Sequence, residues 1–118
     1  MAWMTIYHGT DIKATNAIRR EGVLHGDWPL YGPGVCLTVS RARSFVCIKA
    51  GARARRIGRV LALTVDSALL ANASSEPVGD ALTLTNGNEY RPLHELRLDD
   101  SRVRDWRVLP VREQKAII

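Results

Sequence analysis

The fold is decided by the stretch TIYHGTDIKATNAIRREG at residues 5–22. It begins with β-branched and aromatic residues at 5–8, which predict a strand that enters a turn at Gly9. A side-chain oxygen of Thr10 or Asp11 is suited to cap the helix that follows. The apolar spacing then predicts a helix over residues 11–21 that stops at Gly22.

The rest of the chain is predicted to form mostly strands. A second helix is expected between Ser40 and Gly58, and the apolar residues 60–65 predict a strand buried on both faces. Glycine, proline and polar residues predict loops at 22–34 and 72–79. The remaining predicted strands cover residues 35–39, 81–85, 94–98 and 103–111, with a turn at Asn86-Gly87. This order predicts an α+β domain with helices beside a twisted sheet.

Length and composition exclude several classes of protein. The chain has 118 residues, with 17 Lys and Arg against 12 Asp and Glu and a net charge of +5. This length predicts a single domain spanning residues 1–118. The two cysteines form no CxxC motif, which argues against a disulfide scaffold or a cysteine zinc site. Because we find neither a secretion signal nor a membrane-spanning apolar run, we expect a cytoplasmic protein.

Positive charge is concentrated in the second predicted helix. Seven basic residues and no acidic ones lie between Arg41 and Arg59. Such a one-sided field attracts polyanions or a phosphate-bearing small molecule. A solvated helix face that only keeps the protein in solution would show the same pattern. The sequence leaves both interpretations open.

Three short motifs carry the candidate chemistry: YHGT at residues 7–10, GPGVCLT at 32–38 and HELRLDDSRV at 94–103. In this order they resemble the ADP-ribosyltransferase fold, in the branch typified by diphtheria toxin and the poly-ADP-ribose polymerases. The resemblance runs from His8 to about Val103. It implies a split β-sandwich, two small twisted sheets with flanking helices, and a His–Tyr–Glu triad distributed over three strands.

The resemblance assigns the YHGT motif to binding of NAD. His8 would be catalytic and would hydrogen-bond the ribose 2′-OH of the nicotinamide nucleoside. Gly9 would bring its backbone close to the nicotinamide carboxamide, where a side chain would block the approach. Thr10 would contact the adenosine ribose.

Two glutamates are candidates for the catalytic carboxylate. Glu95 begins a clean strand that ends in Asp-Asp-Ser-Arg-Val, which is similar to the strand-then-turn pattern of the family. Glu89 lies in an Asn-Glu-Tyr sequence like that of the family, but Arg91-Pro92 follows and interrupts a central strand. We therefore favour Glu95, whose carboxylate would bind the ribose 2′-OH and stabilise the oxocarbenium-like transition state.

The sequence departs from the family pattern at Cys36, where the family has a tyrosine that stacks on nicotinamide. Because cysteine has no ring, either Tyr31 from the preceding loop supplies the aromatic or the pocket is altered. Phe45 occupies a helix position where the family places an aromatic residue, and it fits core packing as well as stacking. Together with Gly34 of the glycine-rich motif, these residues complete the expected NAD-binding set.

The resemblance implies a mono-ADP-ribosyltransferase, a glycosyltransferase that uses NAD as cosubstrate and needs no metal. The acceptor would be a protein or a nucleic acid held by residues 26–34 and the basic helix. A toxin-like modifier of this kind has an inhibitor or antitoxin as a further candidate partner.

Three competing functions fit the same motifs. A tRNA 2′-phosphotransferase shares the fold, but that family has an additional N-terminal lobe, which we do not expect in the seven residues before His8. An NAD glycohydrolase would use water as the acceptor. A catalytically weakened module would bind NAD or nucleic acid without reaction, which the cysteine at position 36 would permit.

Overall fold

The computed structural model describes residues 2–26, 35–41, 58–71, 73–75, 81–86, 91–110 and 112. Within them the chain forms strands, one α-helix and one short 3-10 helix. In chain order these are β1 (Trp3–Asp11), α1 (Ile12–Glu21), β2 (Val23–His25), β3 (Cys36–Thr38), β4 (Gly58–Asp66), the 3-10 helix η1 (Ser67–Leu70), β5 (Ala73–Ser75), β6 (Ala81–Leu84), β7 (Glu95–Arg97) and β8 (Val103–Val108).

The strands form two antiparallel sheets. The larger sheet has six strands in the order β5-β6-β3-β1-β4-β8, and the smaller one pairs β2 with β7. At the centre of the larger sheet, β1 and β4 are in register from Trp3 opposite Asp66 to Asp11 opposite Gly58. The fold is therefore a small mixed α+β fold of antiparallel strands and, among the described residues, one α-helix.

Strand β4 carries the core because both of its faces are covered. Leu61, Leu63 and Val65 alternate onto one face, where they join the main hydrophobic cluster. Val60 and Ala62 lie on the opposite face and form a smaller cluster with Leu109. The prediction that residues 60–65 are a strand buried on both faces is confirmed.

Helix α1 follows its predicted bounds to within one residue, but the predicted turn at Gly9 is wrong, because pairing with β4 extends β1 to Asp11. The Asp11 carboxylate caps the first turn by accepting a hydrogen bond from the Ala14 N–H at 2.7 Å. Gly22 ends the helix in the left-handed conformation with φ 71°, and its N–H donates to the Ile18 carbonyl. The helix packs on the sheet through the buried residues Thr15 and Ile18.

Two short strands lie where loops are predicted. Strand β2 falls within the predicted loop 22–34, and β5 falls within the predicted loop 72–79. Each has three residues, so local alternation is too brief to signal it, and pairing with the distant β7 or with β6 creates it. The predicted strands 35–39, 81–85, 94–98 and 103–111 correspond to β3, β6, β7 and β8.

Two predicted elements lie wholly or partly outside the described residues. Residues 42–57, most of the helix predicted between Ser40 and Gly58, lie outside the described residues, and so does residue 87 of the predicted Asn86-Gly87 turn. The N–H of Asn86, the first residue of the predicted turn, donates to the Arg91 carbonyl at 3.1 Å. Within the part of the chain that is described, no helix is both long and apolar enough to cross a membrane.

Replacing the glycine that ends α1 is expected to destabilise the fold through its backbone. A Cβ added at Gly22 meets nothing within 4 Å, so the cost comes from the positive φ alone. We expect Gly22→Ala to lower the free energy of unfolding by about 1 kcal/mol, measured by urea denaturation. Gly22→Asn is the matched control and should lose less, because Asn tolerates this conformation better. Equal losses in both variants would contradict the explanation.

Candidate active site

The candidate site lies where β1 and β3 separate. Among the described residues, these strands are paired in register at Tyr7 and Thr38. Two residues before Thr38, the carbonyl oxygen of Cys36 accepts a hydrogen bond from Nδ1 of the His8 ring at 2.8 Å. In a regular antiparallel ladder a backbone N–H would donate to this carbonyl, whereas here a side chain donates to it. We call the position formed by His8, Gly9 and Cys36 the β1–β3 fork.

The hydrogen bond to Cys36 determines the tautomer of His8. A carbonyl oxygen only accepts, so the proton of the neutral ring is on Nδ1 and Nε2 carries a lone pair. Burial lowers the pKa of His8 below its ordinary 6.5, and the hydrogen bond to the Cys36 carbonyl opposes this shift without cancelling it. His8 is therefore neutral at pH 7, and its Nε2 is an acceptor suited to a hydroxyl group.

Gly9 directs its main-chain groups toward the fork. It lies opposite Val60 of β4, and the Val60 carbonyl accepts from the Leu109 N–H at 2.8 Å on the far side of β4. In antiparallel strands the N–H and C=O of one residue point to the same side, so Gly9 and Val60 form a non-hydrogen-bonded pair. The N–H and C=O of Gly9 consequently point toward β3. The fork thus combines a main-chain donor and a main-chain acceptor beside the imidazole.

Backbone hydrogen bonds link the segment before the third motif, residues 94–103, to the strand that carries Cys36. The Leu93 N–H donates to the Leu84 carbonyl at 2.8 Å, and the Leu93 carbonyl accepts from the Val35 N–H at 3.0 Å. Val35 directly precedes Cys36, and Glu95 lies two residues beyond Leu93. Two extended residues span at most about 7 Å. Hydrogen bonds therefore link the strands that carry all three motifs, in the order β1, β3 and the segment leading into β7.

The side chain of Glu95 is exposed and makes its contact away from His8. Its neighbour Leu96 is buried in the main core, so Glu95 points to the opposite face of β7. Oε1 of Glu95 lies 3.8 Å from Nδ1 of His25 on β2. No contact joins Glu95 to His8 among the described residues. The two predicted catalytic residues lie on strands that hydrogen bonds link, but their side chains do not touch.

Cys36 contributes its main chain to the site rather than its thiol. Alternation along β3 puts the Cys36 side chain on the same face as Thr38, whose register partner is Tyr7. The buried Leu37 lies on the other face, in the main core. The sequence identifies the side chain at position 36 as a cysteine, but it carries no signal for the role of the carbonyl.

The remaining predicted site residues are distributed as follows. Thr10 is half-buried near the end of β1, opposite Arg59 of β4. Four others lie outside the described residues, namely Tyr31, Gly34, Phe45 and Glu89. Residues 42–57 of the predicted basic helix also lie outside them.

A pocket that has no signal in the sequence lies on the face of the larger sheet opposite to Leu61 and Leu63. It is a pocket of about 180 Å³ across β1, β4 and β8, and Arg41 stands over the Tyr7 ring with its guanidinium carbon 5.8 Å from the ring centroid. Cross-strand neighbours form its floor, because Tyr7 is opposite Ala62 and Ala62 is opposite Arg107. Its lining residues are Thr5, Tyr7, Arg41, Ala62, Thr64, Asp105, Arg107 and Leu109.

Within the described ranges, no group of three or more His, Cys, Asp or Glu side chains is placed to hold a metal ion.

Comparison of the chain with protein-family models, with curated proteins and with solved structures finds no match in any of the three. The chemistry available at the fork is that of a neutral imidazole, a main-chain amide and, one strand away, an exposed carboxylate.

The burial of His8 predicts a pH-dependent stability. Since its pKa is lowered in the folded protein, the unfolded chain binds a proton below pH 6.5 that the folded chain does not. We expect the free energy of unfolding to fall as pH drops from about 7.5 to about 5.5, with a slope contribution of at most about 1.4 kcal/mol per pH unit, and no contribution above this range.

Urea denaturation across this pH range measures the effect. His8→Asn keeps a donor near the Nδ1 position but does not titrate, so its stability should vary less with pH. His94→Gln replaces an exposed histidine and should behave like the wild type. A slope that persists in His8→Asn would show that another group causes it.

Proposed function

We propose that the protein is a mono-ADP-ribosyltransferase that cleaves the bond between nicotinamide and ribose in NAD. The observation that carries this proposal is the hydrogen bond of 2.8 Å between Nδ1 of His8 and the Cys36 carbonyl, at a site where burial lowers the pKa of His8. An imidazole held in this way presents an acceptor at Nε2 beside the backbone of Gly9. This combination suits a ligand that has a hydroxyl group and a carboxamide close together.

The nicotinamide riboside half of NAD has these two groups. Nε2 of His8 would accept a hydrogen bond from a ribose hydroxyl. The N–H and C=O of Gly9 would complement the oxygen and the amino group of the carboxamide, which needs one donor and one acceptor. Both residues lie on β1, whose long pairing with β4 holds them in place before a ligand arrives.

Glu95, whose side chain contacts His25 on the exposed face of β7, would have to face the bound ribose to supply the charge that the reaction requires. When the bond between the ribose C1′ and the ring nitrogen breaks, the electron pair leaves with nicotinamide and positive charge develops on the ribose. A carboxylate near the ribose stabilises that charge in the transition state more than in the ground state. A nucleophile of the acceptor then bonds to C1′ and loses a proton.

Substitution of Glu95 tests the catalytic part of the proposal. Glu95→Gln should lower the rate of nicotinamide release by at least about 100-fold, since loss of one preorganised electrostatic group has this effect. Release is followed by chromatography with NAD and candidate protein or nucleic-acid acceptors. Asp105→Asn, which replaces an exposed carboxylate on the opposite face of the larger sheet, is the control and should keep wild-type activity. If Glu89→Gln is inactive and Glu95→Gln is active, Glu89 is the catalytic residue.

Substitution of His8 tests the binding part. His8→Asn retains a donor for the Cys36 carbonyl but removes the acceptor at Nε2. We expect the KM for NAD to rise about tenfold, as for a lost hydrogen bond to a polar ligand, measured at pH ~7.5 and below the unfolding midpoint of the variant. An unchanged KM would contradict the assigned role of Nε2.

Wild-type behaviour separates this proposal from the competing functions. Release of nicotinamide with ADP-ribose on an acceptor supports the transferase, and release with free ADP-ribose supports an NAD glycohydrolase. Binding of NAD without release supports a binding module. If NAD neither binds nor reacts, the proposal is wrong.

A further inference from the structure

Three titratable side chains from three elements meet beside β7. Glu21 is the last residue of α1, His25 the last residue of β2 and Glu95 the first residue of β7. The imidazole lies between the two carboxylates, with Nε2 3.5 Å from Oε2 of Glu21 and Nδ1 3.8 Å from Oε1 of Glu95. We call this group the Glu21–His25–Glu95 cluster.

Backbone pairing positions His25 and Glu95 opposite each other. They are register partners in the two-stranded sheet. The sheet is closed at one end by the Gly26 N–H, which donates to the His94 carbonyl at 2.7 Å, and at the other by the Leu98 N–H, which donates to the Gly22 carbonyl at 2.9 Å. The side chains of an opposed pair remain neighbours even where both are exposed. Their contact therefore follows from the fold.

Arg97, a cation on the same strand as Glu95, forms its hydrogen bonds with another carboxylate. It is two residues away and shares a face with Glu95, and the two charges interact at longer range. Its guanidinium binds Asp99 through two hydrogen bonds, from Nε to Oδ1 at 3.0 Å and from Nη2 to Oδ2 at 3.1 Å. Within the described ranges, the ring of His25 contacts the Glu95 carboxylate at 3.8 Å.

We propose that His25 is a positioning residue for Glu95, acting through the Nδ1 side of its ring. This inference rests on the proposed catalytic role of Glu95. A carboxylate on an exposed strand has several rotamers, and a stabiliser of developing charge works best when its orientation is set in advance. The Nδ1 side of His25 faces Glu95 and limits its rotamers, while the Nε2 side contacts Glu21 at the end of α1.

The two ring nitrogens can be tested separately with two amide side chains. The amide of Asn reaches about as far as Nδ1 of histidine, and the longer Gln reaches the position of Nε2. His25→Asn therefore keeps a polar group facing Glu95, and His25→Gln keeps one facing Glu21. Because both variants change an exposed residue, their urea unfolding midpoints should match that of the wild type.

The experiment measures kcat and KM for NAD cleavage in the wild type and in both variants, with His94→Gln as an exposed histidine control. We expect His25→Gln to lower kcat about threefold to fivefold with an unchanged KM for NAD, the effect of losing one exposed polar contact. His25→Asn should recover most of this loss, and His94→Gln should equal the wild type.

Two results would overturn the proposal in different ways. Equal kcat values for the two His25 variants, in a protein whose wild type cleaves NAD and whose Glu95→Gln variant does not, would exclude the positioning role and leave the proposed function intact. A wild type that does not cleave NAD, or a Glu95→Gln variant that does, would overturn the proposed function and the role of His25 together.

Discussion

The antiparallel pairing of β1 with β4 holds the molecule together, because these neighbouring strands stay in register over the whole of β1, from Trp3 to Asp11. One face of the pair supplies Ile6 and Leu63 to the main core. At its end, Asp11 caps α1 and so sets the direction of the helix. The same register determines that Gly9 turns its main-chain groups away from β4, since Val60 is already bonded on the side of β8.

The candidate site exists because β3 follows β1 for so short a distance. Beyond the pair of Tyr7 with Thr38, the His8 ring is hydrogen-bonded to the Cys36 carbonyl. Burial and this single bond together determine the protonation state and tautomer of the imidazole. A neutral acceptor beside the main-chain amide of Gly9 is the physical basis on which we propose NAD as the ligand.

Both sheets carry charged side chains. The smaller sheet exposes Glu95, Arg97 and the imidazole of His25, and each has a defined neighbour. The arginines of the larger sheet include Arg107 in the pocket across β1, β4 and β8. The net charge of the chain is +5, and five of the seven basic residues between Arg41 and Arg59 lie outside the described residues.

The sequence by itself determined the elements whose signals are local. The capped helix ending at Gly22 and the doubly buried strand at residues 60–65 depend on nearby residues, so their patterns are sufficient. Strands β2 and β5, the carbonyl role of Cys36 and the contact of Glu95 with His25 were decided by the tertiary structure. Each of these depends on a partner outside its own segment, because strand pairing is chosen by tertiary contacts that no local pattern records.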